Sequence, residues 1–236
     1  MADIKTLYKH YRNSAGASED PRVPQENKIY FALTNRRPNT KLKIYLWTIW
    51  RWFEVNAPRA RRTMQRVAQY TRWAEQVAGA VDEIYDGNGY VDLAFENGAT
   101  LAVVDNRRVH RPPKTILVEN ATETLYELAR YHRDQTSFPV IGITGTVGKT
   151  TTTNLVHAVL NSEKKAYMQN GRNTPPVNSI NLLNAPQGTE AVVLEVATVR
   201  PGIIAGACEV IQPTHGLITT IGLAHLDTMG DLETIQ

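Results

Sequence analysis

The chain has 236 residues, 42% hydrophobic and 21% charged, with a formal net charge of +3, which gives room for two modest domains and no general argument for nucleic acid as a partner. Its one cysteine, Cys208, excludes an internal disulfide, and no apolar run approaches the ~20 residues of a membrane-spanning helix. The N-terminal residues lack the apolar centre of a secretion signal, so a cytoplasmic location is expected.

Ile4, Leu7, Tyr8 and Tyr11 fall on one helical face, which predicts a short amphipathic helix. A polar, proline-containing segment from Ser18 then leads to a predicted strand over Lys28 to Leu33. Lys41 to Val55 is rich in tryptophan. The stretch after it reads as a helix, with Asn56 as N-cap, Pro58 in the first turn, and an apolar stripe at Met64, Val67, Ala68, Ala74, Val77, Ala78 and Val81. Arginines and lysines dominate from Arg36 to Arg72. Aromatics interleaved with arginines suit an anionic membrane surface, a nucleic-acid strand or an acidic partner. A helical hairpin that packs its tryptophans on the host domain and leaves its arginines in water fits the same pattern.

Further on, Thr115 to Glu119 reads as a strand and Ala121 to Asp134 as a helix, with Leu125, Leu128, Ala129 and His132 at helical spacing. His132 fits a boundary position better than a ligand. From Phe138 onward strands alternate with helices: Phe138 to Ile143, Ala166 to Gln169, Ala191 to Glu195 and Gly216 to Thr220 are the strands. That order predicts a parallel sheet with right-handed crossovers, whose ligands gather at the carboxyl ends of the strands.

The sharpest motif is P-V-I-G-I-T-G-T-V-G-K-T-T-T-T-N, Pro139 to Asn154. An apolar strand breaks into a small-residue loop and then into a helix near Lys149, the grammar of a phosphate-binding loop. Glycines let successive N–H groups face an anion, and the helix N-terminus adds positive charge. Lys149 would reach the β- and γ-phosphates of a nucleotide, and the Thr150 hydroxyl would sit on the accompanying magnesium. The same pattern fits a strand, a glycine turn and a helix with no ligand. Glu195, closing A-V-V-L, is a carboxylate at the end of a buried strand and suits magnesium.

The glycines of the loop are Gly142, Gly145 and Gly148, and Ile143 stands where the common pattern has glycine. This variant resembles the central-domain signature of the Mur ligase family, which joins an amino acid or peptide to a carboxylate with ATP. The segment S-E-D-P-R, Ser18 to Arg22, before the strand ending F-A-L, is similar to that family's N-terminal domain. So are D-G-N-G-Y and the linker-like I-L-V-E-N-A-T-E-T-L-Y-E-L-A-R. Within the family the linker is similar to that of the D-alanyl-D-alanine-adding members, and a member adding the third stem residue is the alternative.

The resemblance implies an α/β chain. A small N-terminal domain over residues 1–137, with a helical insertion at about 36–85, would precede an incomplete phosphate-loop parallel-sheet domain over 138–236. It implies ATP and Mg2+, and a carboxylate activated as an acyl phosphate and taken by an amine. The implied substrates are a UDP-linked muramoyl peptide and D-alanyl-D-alanine. Lys149, Glu195 and His225 would be catalytic. Gly145, Thr146, Gly148, Lys149, Thr150 and Thr151 would bind the nucleotide, while Thr150, Glu195 and His225 would hold metal. Ser18, Asp20, Arg22, Asn173 and Thr174 would bind substrate, with the Arg22 fork suited to a diphosphate. Val147, Ala197 and Thr220 depart from the family pattern. The match stops at Gln236, before the family's third domain, so little ligase turnover is expected of this polypeptide alone. A non-catalytic module that binds a membrane surface or a protein through Lys41–Arg72 is the other reading.

Overall fold

The computed structural model describes residues 3–37, 83–169 and 172–223. The tryptophan- and arginine-rich segment, with the contact expected through Lys41–Arg72, and His225 lie outside the described residues. Two compact units are present. One takes in the described residues up to Leu33 and from Gly87 onward. The other, Thr34–Asp86, contains an antiparallel pair, β3 (Thr34–Arg37) with β4 (Glu83–Asp86).

The larger unit holds two parallel sheets, as the α/β reading requires. In the first, β1 (Ala17–Ser18), β2 (Ile29–Phe31), β5 (Leu101–Val104) and β6 (Thr115–Leu117) lie in the order β1-β2-β5-β6. In the second, β7 (Val140–Thr144), β8 (Ala166–Met168), β9 (Ala191–Glu195) and β10 (His215–Ile218) lie in the order β10-β7-β9-β8. Every residue of β5 and β9 is buried, which is why both read as unbroken apolar runs rather than alternating ones. The strand ends depart from the sequence reading for local reasons. Pro139 has no N–H to give a ladder, so β7 begins at Val140. Thr219 and Thr220 leave β10 to bond the loop after β7, so that strand ends at Ile218.

The helices α1 (Ile4–Arg12), α2 (Val91–Glu96), α3 (Ala121–Asp134), α4 (Lys149–Leu160), α5 (Pro175–Leu183) and α6 (Ile203–Ile211) complete the unit. α3 starts where Asn120 Oδ1 accepts the N–H groups of Thr122 (2.9 Å) and Glu123 (3.1 Å). Its stripe of Leu125, Leu128 and Ala129 is fully buried. α3 packs on α1, α5 and α6 and touches β2. One continuous core therefore runs from Ile29, Phe31 and Val103 of the first sheet to Val140, Val192 and Leu194 of the second.

At the outer edge of β1 a side chain replaces a strand. Asn184, after α5, accepts the Ala17 N–H on Oδ1 (2.8 Å) and donates from Nδ2 to the Ala17 carbonyl (2.9 Å). Close by, the Tyr11 hydroxyl donates to the Leu183 carbonyl. His132, read as a boundary residue, is instead buried where α3 meets α1, with its Nδ1 3.3 Å from the Tyr8 hydroxyl and its ring edge-on to Tyr11. Burial, with the charges of Arg12 and Arg133 nearby, pushes its pKa down to about 4.

Two outcomes follow. Asn184→Ala strands the N–H and C=O of the buried Ala17, at about 1–3 kcal/mol for each unpaired group. Urea unfolding is expected to show a loss of roughly 2–4 kcal/mol. For His132, the unfolded imidazole takes up a proton near pH 6.5 while the folded one resists until about pH 4. Its contribution to stability is present above pH 6.5 and is lost as pH falls towards 4. In a pH series of unfolding free energies, His132→Gln should flatten that part of the curve.

Candidate phosphate-binding cleft

β7 and β9 are hydrogen-bonded neighbours in register, with Ile143 opposite Glu195. The loop after β7 and the carboxylate closing β9 therefore emerge side by side at the carboxyl end of the sheet. The loop is tied down from β10's end. Thr146 N–H donates to the Thr220 carbonyl (2.8 Å) and Val147 N–H to Thr220 Oγ1 (3.1 Å). Thr219 Oγ1 donates to the Val147 carbonyl (2.7 Å), and Thr146 Oγ1 donates to the Gly222 carbonyl (3.0 Å). Gly145, at φ +130°, passes so close that an added Cβ would lie 2.3 Å from Thr219 Oγ1.

Gly148 is the N-cap of α4 at φ 88°, with no side-chain cap and no acidic residue in the first turn. The first-turn N–H groups of a helix have no intrahelical partner, so this uncapped end has donors that suit an anion. Lys149 Nζ lies back over the loop, 2.6 Å from the Gly145 carbonyl and 3.4 Å from that of Thr146. An ammonium carries three donors, so both contacts leave capacity for an anion.

Beside the loop is a cleft of about 470 Å³, lined by Thr150, Thr153, Asn154, Met168, Gln169, Arg172, Asn173, Thr174 and Glu195. A second helix start borders it, since Thr174 is the N-cap of α5 with no side-chain cap bond. Glu195 is the one carboxylate of this lining and is only 8% exposed, while Arg172 is the one cation. Among the described residues no group of three or more His, Cys, Asp and Glu side chains could enclose a metal. Magnesium fits what is present, because it binds through one or two carboxylates together with nucleotide phosphates and keeps its waters. Glu195 and the Thr150 hydroxyl would hold it.

Of the residues singled out in the sequence, Thr150, Asn173, Thr174 and Glu195 meet in this cleft. Gly145, Thr146, Gly148 and Lys149 form the adjoining loop. Thr151 lies on α4, exposed and outside the lining. Ser18 ends β1, and Asp20 and Arg22 lie in the turn after it. There the Asp20 carboxylate takes the Arg22 fork, with Nε and Nη2 each at 2.8 Å, and this pairing holds the Asp20 pKa below its usual value. Arg172 of the cleft is near enough for its charge to lower it further. The turn is pinned by Gln25, fully buried, which donates from Nε2 to Ser18 Oγ (2.9 Å) and to the carbonyls of Asp20 and Val23. Sequence reasoning missed Thr153, Asn154, Met168, Gln169 and Arg172. The first two follow Thr150 at helical spacing, and Gln169 stands where β8 ends, so the strand-end rule already pointed to it.

A strand-end glycine loop, an uncapped helix and a neighbouring carboxylate are the parts of a phosphate-binding α/β protein, and the chain is similar to Mur ligases. Residues 143–236 match the family model for the Mur ligase middle domain. Within that class the likeness is to MurF. The chain is 34% identical over 157 residues to the UDP-N-acetylmuramoyl-tripeptide–D-alanyl-D-alanine ligase of Bacillus subtilis (strain 168), over 65% of this chain and 34% of that protein. Its fold is similar to that of MurF ligase from Thermotoga maritima, solved in complex with ADP, at a TM-score of 0.64 and 23% identity, covering 100% of this chain and 42% of the other. MurF from Acinetobacter baumannii gives 0.65 and 19%, covering 97% and 44%. The chain thus spans about a third of the length of the curated relatives it matches.

Gly145→Ala is expected to lower the melting temperature by several degrees, since strained φ and a clash with Thr219 together cost about 1–3 kcal/mol or more. Gly188→Ala, at φ 82° with nothing within 4 Å of the added Cβ, carries only the backbone strain and should cost less in the same thermal scan.

Proposed function

We propose that this chain provides the nucleotide- and metal-binding centre of a MurF-type ligase, using ATP with Mg2+ to join D-alanyl-D-alanine to a UDP-linked muramoyl tripeptide. The observation that carries this reading is the placement of the Gly145–Lys149 loop beside Glu195 on paired strands, at the mouth of one cleft. A carboxylate attacking a γ-phosphate brings two anions together, and catalysis of such a transfer is mainly positioning and charge neutralisation. Lys149, the α4 N-terminus and Arg172 supply positive potential from this chain. Magnesium, when bound, would neutralise charge on the phosphate oxygens. Glu195 and Thr150 would orient it.

On the substrate side, Asn173 and Thr174 line the cleft, and Asn173 is fixed by its carbonyl accepting the Ala197 N–H (3.2 Å). The turn of Ser18, Asp20 and Arg22 would take the uridine diphosphate end. Its fork-to-carboxylate pairing is mostly exposed, and exposed ion pairs contribute little, so a diphosphate could exchange for Asp20 on Arg22 at small cost. Among the described residues no helix is long and apolar enough to cross a membrane. The proposed place of work is the cytoplasm, and the proposed domain boundary falls near Ser137, between α3 and β7.

Isothermal titration with Mg-ATP tests the central claim. A charge-assisted hydrogen bond is worth about 1.5–3 kcal/mol, so Lys149→Ala should weaken binding roughly 10–100-fold. A wild-type chain that takes up no Mg-ATP, or a variant that binds as tightly as wild type, would overturn the reading.

A further inference from the structure

Glu195 ends β9, and on the β8 side its main chain is held by side chains instead of a strand. β8 pairs with β9 as far as Met168 opposite Val193, and the Gln169 N–H still donates to the Val193 carbonyl (3.1 Å). In a continuing parallel ladder the next rung would run from the Glu195 N–H to the main-chain carbonyl of Gln169. Here that N–H donates to Gln169 Oε1 at 2.6 Å. The Glu195 carbonyl accepts from Asn178 Nδ2 of α5 at 3.0 Å. Both amide side chains are buried, Gln169 at 9% exposed and Asn178 at 0%.

Asn178 Oδ1 is buried with no hydrogen-bond partner among the described residues. An orphaned acceptor is unfavourable, so the bond to Glu195 is what sets the orientation of this amide. We propose that Gln169 and Asn178 are positioning residues, a pair of side-chain amides that complete the ladder around Glu195 and so aim its carboxylate into the cleft, towards the divalent cation of a bound nucleotide. This rests on the metal role proposed above for Glu195. The arrangement lets β8 end early, which leaves the cleft open beside Glu195 while the residue keeps both main-chain hydrogen bonds. Side chains that orient a metal ligand in this way typically change metal affinity by about 10–100-fold when removed.

The test uses the 236-residue chain with ADP, Mn2+ as the probe cation, and two readouts: Mn2+ affinity by electron paramagnetic resonance and hydrogen exchange of the Glu195 amide. Gln169→Met removes the acceptor and is expected to speed Glu195 exchange and weaken Mn2+ binding about tenfold. Gln169→Glu keeps an acceptor oxygen and should retain slow exchange. Asn178→Leu removes the donor to the carbonyl and should weaken Mn2+ binding by a similar factor. For Asn178→Leu, whose side chain is buried outside the cleft lining, ADP affinity without metal should stay within about twofold of wild type. The proposal fails if Mn2+ affinity is unchanged in Gln169→Met and Asn178→Leu, or if Gln169→Glu exchanges as fast as Gln169→Met. Should one of the first two not fold, the other decides. If the wild-type ADP complex itself binds no Mn2+, the metal role of Glu195 falls first, and this proposal falls with it.

Discussion

The buried face of α3 is the constraint on which the larger unit depends. Leu125, Leu128 and Ala129 are fully removed from water and touch a core that draws side chains from both parallel sheets. Burying three such side chains is worth several kcal/mol, at about 1.5–3 kcal/mol for each large one. Because the same helix packs on α5 and α6, it also fixes two elements of the second sheet's surround. At its C-terminal end Arg133 donates to the carbonyls of Thr136 and Gln212, so the end of α6 is tied to the helix as well. α5 is flanked by Thr174 in the cleft and by Asn184 bonded to Ala17 of β1, so what α3 holds in place reaches both the cleft and the strand that ends at Ser18.

Parallel strands must have their polar groups satisfied where pairing stops, and this chain repeatedly does so with an amide side chain. Asn184 stands in for a neighbouring strand on Ala17, and Gln169 and Asn178 do so on Glu195. Asn88 satisfies one main-chain group after β5, where its Oδ1 accepts the Asp105 N–H (3.3 Å), while its Nδ2 donates to the Asp105 carboxylate (2.7 Å). A side-chain amide offers the donor and acceptor of a peptide group without prolonging the chain, so the strand can stop while the rung is kept. The consequence is functional as well as structural, because strand ends are where an α/β sheet places its ligands.

Much of this was legible in the sequence. The helix over Ala121 to Asp134, the buried run Ala191 to Glu195 and the loop from Gly145 to Lys149 all follow from period, burial and glycine placement, and the structure has each of them. What periodicity could not show were contacts between residues far apart in the chain. Nothing near Asn184 in sequence points to Ala17, and although Gln169 falls at a strand end, neither it nor Asn178 reads as a partner of the Glu195 main chain until β8 stops beside β9. The pairing of Asp20 with Arg22 is local instead. Read separately, each suits a ligand, yet two residues apart in a tight turn they also suit one another.

The departures from the Mur ligase pattern also acquire a physical reading. The Val147 side chain is 68% exposed, while its N–H and carbonyl are taken by Thr220 and Thr219. The loop's shape therefore comes from main-chain bonds that any residue at 147 can make. Thr220, where the family has asparagine, supplies one of those bonds itself. Ala197 replaces a glycine, but among the described residues only Asn27 and Gln212 have positive φ outside glycine, so no left-handed conformation is demanded there. Its N–H meets the Asn173 carbonyl and its methyl is buried at 2% exposed. Substitutions at 147, 197 and 220 are thus compatible with an unaltered donor direction in the loop, helix polarity at α4 and placing of one carboxylate at the end of β9.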